Sequence, residues 1–295
     1  MNALGRKGLS DFQIKLLFII PTMVVLVFIV IYPIVWSIYL SFHDYKAVLP
    51  DPPRFIGIQN YVEILTDPVM WKHMQITGKF VFLAVFSQFI IGFGVALMLN
   101  RQFRGKGLVT TLMLTPMMLA PVIVGIFWRF LFDPSFGVQN YVTRVLFDYT
   151  IPWLSSPNSA LFAMVIVDTW MWSPFMMLIS LAGLSAIPKY LYEAAEIDRA
   201  SWWSKFIHIT LPLVGPLLMI ALLLRTMDAF KLFDLVFGLT GGGPANATST
   251  LAFEIYKTAF MKFYTGKSCA MAYILFVIVV ALSNIFIRFL NRLKT

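Results

Sequence analysis

Six long apolar runs, separated by shorter polar connections, dominate the pattern along the chain. A membrane-spanning helix needs about 20 mostly apolar residues, because lipid offers its backbone polar groups no partner outside the helix. The runs predict six transmembrane helices, at about residues 14–42, 78–99, 108–132, 160–187, 211–237 and 269–290. The expected fold class is an all-α membrane protein, with residues 1–295 forming a single transmembrane domain.

Charged residues inside these runs are few and unevenly placed. The fourth run contains Asp168, and the second half of the fifth contains Arg225, Asp228, Lys231 and Asp234. Charges are costly against lipid, so these side chains are expected to face protein or water. Asp168 has a functional interpretation, a proton relay, and two more ordinary ones: a structural ion pair with Arg129 or Arg225, or a side chain that extends toward the outer membrane interface.

Composition and charge agree with a membrane protein. Hydrophobic residues make up 59% of the chain and charged residues 13%, which excludes a soluble enzyme. The net charge of +9 is divided among the connections rather than gathered on one face, so it argues for membrane orientation and against nucleic-acid binding. Lys and Arg are densest at both termini, in the turn 100–107 and in the connection 188–211. The positive-inside rule therefore predicts that these segments are cytoplasmic.

The chain offers no residues for metal, cofactor or catalytic chemistry. Its one cysteine, Cys269, and its three histidines lie apart from one another, without the spacing of a metal site. Gly266-Lys267-Ser268 resembles the end of a phosphate-binding loop, but position 261, where that loop has its first glycine, is Met. The sequence therefore predicts neither an enzyme nor a nucleotide-binding chain.

The connection 188–211 is long, amphipathic and rich in both aromatic and acidic residues. One interpretation is a short helix that docks in a groove of another protein. The other is a helix lying at the lipid interface, anchored by Trp202, Trp203 and Phe206. The residues alone leave both open.

Motifs in this connection carry a family resemblance. Glu193-Ala194-Ala195, then Asp198, then Ile209 to Pro212 follow the EAA signature of the permease subunits of bacterial ABC importers for carbohydrates. Phe233-Asp234 and the stretch from Leu239 to Pro244 also match the family pattern. The sequence thus resembles permeases of the maltose and glycerol-phosphate type over nearly its whole length, with Arg199 where the family has glycine.

The resemblance implies a type I ABC importer permease in a bacterial inner membrane that performs no chemistry itself. Its partners would be membrane lipid, a second homologous permease in a heterodimer, two ATPase subunits that bind ATP and Mg, and an extracytoplasmic solute-binding protein. The solute would be a sugar, polyol or sugar derivative. The alternative function is a proton-coupled secondary transporter that uses Asp168.

The resemblance also implies two sets of site residues. Those that couple to the ATPase are Glu193, Ala194, Ala195, Asp198, Arg199, Leu211 and Pro212. Those that bind solute are Met171, Trp172, Phe175, Arg225, Asp228, Ala229 and Leu232. The spacing of 225, 228, 229 and 232 would place them on one helix face. Glu193 is expected at the start of the loop helix, and Arg199 in a helical conformation, since its neighbours are good helix formers.

Overall fold

The computed structural model describes residues 10–294, and helices account for most of them. The described chain forms the following helices: α1 Asp11–Ser41, α2 Gln59–Thr66, α3 Pro68–Leu99, α4 Lys106–Met118, α5 Pro121–Leu131, α6 Val138–Phe147, α7 Pro157–Ser185, α8 Lys189–Ile197, α9 Trp202–Ala229, α10 Asp234–Leu239, α11 Leu251–Tyr256 and α12 Thr265–Lys294. Strands β1, His43–Asp44, and β2, Arg54–Phe55, pair antiparallel with His43 opposite Phe55. Arg6 and Lys7, which enter the orientation prediction, lie outside the described residues.

Five described helices, α1, α3, α7, α9 and α12, are long and apolar enough to span a membrane. The second predicted span, 78–99, lies within α3, which begins ten residues earlier, at Pro68. The side chain of Asp67 caps this start by accepting a hydrogen bond from the backbone N–H of Val69 at 2.8 Å. Hydropathy marks the part of a helix that can lie in lipid, whereas the cap determines where the helix begins.

The third apolar run is not one straight helix. It divides into α4 and α5, which are bent by 96° at the break between them. The prediction of a single helix over 108–132 is therefore wrong. Leu119 and Ala120 are extended just before Pro121, as expected for a residue whose helical conformation would clash with the following proline ring.

The fifth helix is shifted toward the N-terminus relative to the predicted span. α9 begins at Trp202 and ends at Ala229, so the predicted span 211–237 begins within this helix but runs past its end. Residues 234–239 instead form α10, which packs against α5. The two helices approach closely at Gly125, where an added Cβ would lie 2.9 Å from the backbone nitrogen of Leu239. The residues that were predicted to continue α9 thus form a separate helix, α10, that packs on α5.

Prolines lie inside α1, α7 and α9 without ending these helices. Two of them, Pro33 and Pro212, directly follow a π-helical turn, Val27–Ile31 in α1 and Phe206–Thr210 in α9. A proline ring clashes with the carbonyl four residues earlier, and at both of these prolines that carbonyl lies inside the widened turn. The π-turns thus accommodate these two rings.

The chain forms two compact units. The first contains the chain up to Ile64 and Thr258–Tyr273. In it, the Asn60 amide donates hydrogen bonds to the carbonyl oxygens of Ser41, at 2.9 Å, and His43, at 3.1 Å. These bonds fix the segment that follows α1.

The second unit contains Leu65–Lys257 and the chain from Ile274. Its core lies among α3, α7 and α9, where α3 and α7 make the most extensive contact. An added Cβ on Gly92 would lie 2.6 Å from the carbonyl oxygen of Ser173, so glycine is required for this approach. The close packing leaves little room for large side chains and brings the polar residues of three helices within hydrogen-bond reach.

Candidate functional site

Arg225 lies at the centre of a buried polar network and is only 2% exposed. Its Nε donates to the amide oxygen of Gln88 at 2.8 Å, and its Nη1 donates to Asp228 Oδ2, also at 2.8 Å. Its Nη2 donates to Asp168 Oδ2. All three guanidinium nitrogens are therefore used, as suits a planar group with fixed donor directions.

Asp168 is fully buried, at 0% exposure, and its partner is Arg225 rather than Arg129. Its Oδ2 also accepts a hydrogen bond from the Gln88 amide nitrogen at 2.7 Å. A buried charge is tolerated when it is paired and hydrogen-bonded. The structural-pair interpretation of Asp168 is therefore confirmed.

The network joins three helices, because Gln88 belongs to α3, Asp168 to α7 and Arg225 to α9. Sequence reasoning missed Gln88, since the second run was judged only by its lack of charged residues. A lone amide within an apolar run was the available signal, because an unpaired polar side chain is costly in hydrocarbon.

Two aromatic rings adjoin the network on α7. The Trp172 ring lies over the Arg225 guanidinium, 5.0 Å from its central carbon, and the Phe175 ring meets Trp172 edge to face at 6.4 Å. Both rings are half-buried. Met171, by contrast, is buried in the core with the neighbouring apolar side chains. Trp172 and Phe175 thus retain accessible ring surface, whereas Met171 does not.

Asp228 is the member of the network that reaches the surface, since its side chain is 53% exposed. Ala229 is fully buried and is the last residue of α9. Leu232 therefore lies beyond the helix, and the prediction that it continues the face of 225, 228 and 229 is wrong. Beyond the helix, the Leu232 carbonyl accepts a hydrogen bond from the Thr250 hydroxyl at 2.8 Å.

The helix of the 188–211 connection, α8, has one outward and one inward side. Tyr190, Glu193, Ala194 and Ile197 follow helical spacing and are all exposed, Ile197 to 84%. We call these four residues the docking face. On the inward side, the Tyr192 hydroxyl and the Thr210 hydroxyl of α9 are 2.8 Å apart. The chain therefore holds α8 by its inner side and leaves the docking face open.

Glu193 is not at the start of this helix. α8 begins at Lys189, directly after the extended Pro188, and its first turn contains no acidic residue. Glu193 is thus in the middle of α8, where the helix dipole has little effect, since that effect is confined to the terminal turn. The expected position of Glu193 at the start of the loop helix is wrong, while the exposure of Glu193 agrees with a contact to another protein.

Arg199 is left-handed, with φ of 54°, so its predicted helical conformation is wrong. It occupies the turn that closes α8: the Ala200 N–H donates to the Ala195 carbonyl at 2.8 Å, and the Arg199 N–H donates to the Glu196 carbonyl at 3.0 Å. This hydrogen-bond pattern is a Schellman motif, which usually has glycine at this position. The chain reversal between α8 and α9 outweighs the helix propensity of arginine.

The remaining predicted coupling residues are divided between two helices. Ala195 is half-buried, and Asp198 is exposed at the end of α8. Leu211 and Pro212 are exposed in α9, after its π-turn. The docking face therefore contains only Glu193 and Ala194 of the predicted coupling set.

Replacing Arg199 with glycine is expected to raise the free energy of unfolding by about 1 kcal/mol, because glycine adopts positive φ without the steric cost that arginine has. Thermal unfolding of the purified protein measures the change. The control is Arg129→Gly on the exposed side of α5, where glycine replaces a helical residue and is expected to lower stability by about 1 kcal/mol. Equal destabilisation by both changes would contradict the left-handed turn.

Five membrane-length helices, a charged network buried among three of them and an exposed helix between two spans are the features of an integral membrane protein. Residues 88–294 match the family described as binding-protein-dependent transport system inner membrane component. The chain belongs to this family.

Individual relatives match over nearly the whole chain. The trehalose/maltose transport system permease protein of Thermococcus litoralis is 36% identical over 290 residues, 97% of each chain. The sulfoquinovosyl glycerol transport system permease protein of Agrobacterium fabrum is 33% identical over 283 residues, 96% of this chain and 92% of the relative. A crystal structure of a bacterial ABC transporter involved in the import of the acidic polysaccharide alginate matches with a TM-score of 0.83 at 19% identity, covering 97% of both chains.

These matches confirm the predicted fold and the predicted class, an ABC importer permease. The chain is a transport permease and not an enzyme. The proton-coupled alternative is left without support. Among residues 10–294, no three His, Cys, Asp or Glu side chains are grouped so that they could hold a metal ion.

Proposed function

We propose that this chain and a second, similar permease form the translocation pathway of an ATP-driven importer of a carbohydrate or carbohydrate derivative. The named solute of the more similar of the two relatives, trehalose or maltose, supports this class of solute. An extracytoplasmic binding protein delivers the solute, and two partner ATPase subunits bind ATP and Mg. The role of this chain is to bind the solute briefly and to change conformation.

The solute site in this proposal lies beside the exposed part of the buried network. The observation that carries it is an exposed carboxylate, Asp228, connected through Arg225 to the accessible ring of Trp172. Sugars present C–H faces that pack on aromatic rings and hydroxyl groups that donate to carboxylates. Trp172 and Phe175 provide the rings, and Asp228 provides the acceptor.

The other predicted site residues have supporting roles in this proposal. Met171 and Ala229 are buried, so they set the shape of the wall behind the site. Arg225 holds Asp228 and Trp172 in place. Leu232 follows the end of α9 and is half-buried. We therefore assign direct solute contact to Trp172, Phe175 and Asp228.

The docking face of α8 supports contact with an ATPase subunit. An isoleucine with 84% of its surface exposed gains no stability in water, whereas it would be buried in a groove of a partner. Trp202 and Trp203, at the start of α9, are also exposed and suit a membrane interface. In this proposal, α8 docks to the ATPase, whereas the segment with Trp202 and Trp203 lies at the membrane interface.

The proposed orientation places both termini and the connection 188–211 in the cytoplasm. Basic residues favour the cytoplasmic side during membrane insertion. The turn 100–107, with Arg101, Arg104 and Lys106, lies on the same side in this topology. That side is also where the ATPase subunits must bind, so the orientation and the docking face support each other.

The test of the solute site is Trp172→Ala, with uptake of radiolabelled trehalose and maltose measured in proteoliposomes that contain the partner subunits and the binding protein. Uptake is expected to fall about tenfold, since losing one aromatic contact costs roughly 0.5 to 1.5 kcal/mol beyond the buried area. Assembly of the complex is expected to persist.

The matched control is Trp170→Ala, on the same helix, where the indole packs edge to face on Trp128 at 5.5 Å instead of on Arg225. This variant should transport at nearly the original rate. Equal losses of uptake in the two variants would mean that Trp172 acts only in packing, and this would contradict the proposed solute site.

A further inference from the structure

The guanidinium of Arg225 is enclosed by the chain's own groups. Each of its three nitrogens donates to an acceptor within the second unit, and the Trp172 ring covers one face. An anionic solute that reached Arg225 would have to displace Asp168 or Asp228. Displacing Asp168 would leave a fully buried carboxylate without its ion-pair partner, which is strongly unfavourable.

The charge that the network presents outward is negative. Arg225 divides its donors between two carboxylates and is itself enclosed, so the group that meets a solute is the carboxylate of Asp228, which alone of the three is exposed. Lys231 and Asp234, just beyond the end of α9, are both exposed and have opposite charges. Together they add no net charge near Asp228. Like charges repel more strongly beside a protein interior than in water, because the effective dielectric constant is lower.

Asp228 can still accept hydrogen bonds. An ionised carboxylate has about four lone-pair sites, and one of its oxygens receives the bond from Arg225. Hydroxyl groups of a neutral sugar can donate to the remaining sites. A carboxylate, phosphate or sulfonate brings acceptors and negative charge to the same place, which is a specific repulsive element.

We infer that this site accepts uncharged polyhydroxyl solutes and rejects anionic carbohydrates, with Asp228 as the selecting residue. The site is that of the proposed function, on which the inference rests. Arg225 acts as a positioning residue that holds Asp228 and Trp172, and it makes no contact with the solute.

The test measures equilibrium binding of radiolabelled matched probes to the purified transporter complex without its binding protein, so that the selectivity of the binding protein does not enter. The pairs are glucose with glucuronate, maltitol with maltobionate, and trehalose with trehalose 6-phosphate. Each pair differs chiefly in its anionic group. The neutral member of any pair that binds is expected to bind at least about tenfold more tightly, in line with repulsion between close charges.

Two variants connect the discrimination to Asp228. Asp228→Asn keeps an acceptor and removes the charge, so the neutral-to-anionic affinity ratio should fall at least about threefold. Asp148→Asn removes an exposed charge outside the network, at a left-handed position that asparagine tolerates, and should leave the ratio unchanged.

The outcomes separate the two proposals. Equal or tighter binding of the anionic members, or the same ratio in Asp228→Asn as in the unsubstituted transporter, would overturn the charge selection while leaving carbohydrate transport intact. Absence of binding by all neutral probes, together with absent uptake of sugars, would overturn the proposed function and with it this inference.

Discussion

Replacing Arg225 with alanine is expected to lower the free energy of unfolding by about 3 to 5 kcal/mol, because it leaves a buried carboxylate without its partner. Asp168 is fully buried, and its Oδ2 would keep only the Gln88 hydrogen bond. The loss should appear as a reduced yield of the purified protein and an earlier thermal transition.

Two further variants show whether the stability lost in Arg225→Ala comes from the unpaired charge of Asp168. Asp228→Asn leaves the Asp168–Arg225 pair intact and should change stability by about 1 kcal/mol or less, since it alters a half-exposed group. The double variant Asp168→Leu with Arg225→Met removes both buried charges and should recover much of the stability lost in Arg225→Ala. If the double variant were no more stable than Arg225→Ala, the buried pair would not explain the loss.

Reversing the charge of Glu193 with lysine is expected to abolish solute-stimulated ATP hydrolysis and uptake by the assembled transporter. Glu193 is central in the docking face, where it has Ala194 beside it and Tyr190 and Ile197 about one turn away. A like-charge contact at a protein interface costs several kcal/mol, and the folded permease loses none of the hydrogen bonds that hold α8.

Co-purification of the ATPase subunits and stimulated hydrolysis measure this effect directly. Ile197→Ser tests the apolar part of the same face and should also weaken co-purification. Asp51→Lys is the matched control, since it makes a similar charge reversal at an exposed position in the loop between α1 and α2. Full coupling in Glu193→Lys would exclude the docking face as the contact to the ATPases.

Secondary structure was predicted well where one requirement, an apolar segment long enough to cross the lipid, governed the sequence. Runs of about 20 apolar residues have few alternatives to a membrane helix, so the long helices were located correctly. The ends of these helices were not predicted correctly. The start of α3 depends on a cap by Asp67, and the division of α4 from α5 depends on how the chain bends around Pro121.

The candidate site was predicted in part. Charges inside the runs pointed to Asp168, Arg225 and Asp228, because lipid excludes unpaired charge. The partner of Asp168 could not be chosen between Arg129 and Arg225, since both lay in neighbouring runs and sequence distance does not give spatial distance. Gln88 was missed because the runs were judged by their charged residues, and an amide carries no charge.

At Arg199 the helix propensity of the residue conflicts with the turn that the tertiary structure requires. Arginine and its alanine neighbours favour a helix, yet the chain must reverse between α8 and α9, and the Schellman hydrogen bonds secure that reversal. The conflict costs about 1 to 2 kcal/mol at one residue, which the packing of the surrounding helices can offset.

The sequence by itself determined the membrane class, the long helices and the presence of buried charge, because these follow from the transfer of whole segments between water and lipid. Only the tertiary structure decided which groups meet. It paired Asp168 with Arg225 through Gln88, ended α9 at Ala229 and exposed Asp228 while enclosing Arg225. Such pairings depend on the close approach of α3, α7 and α9, and hydrogen bonds require sub-ångström positions that periodicity along a chain cannot specify.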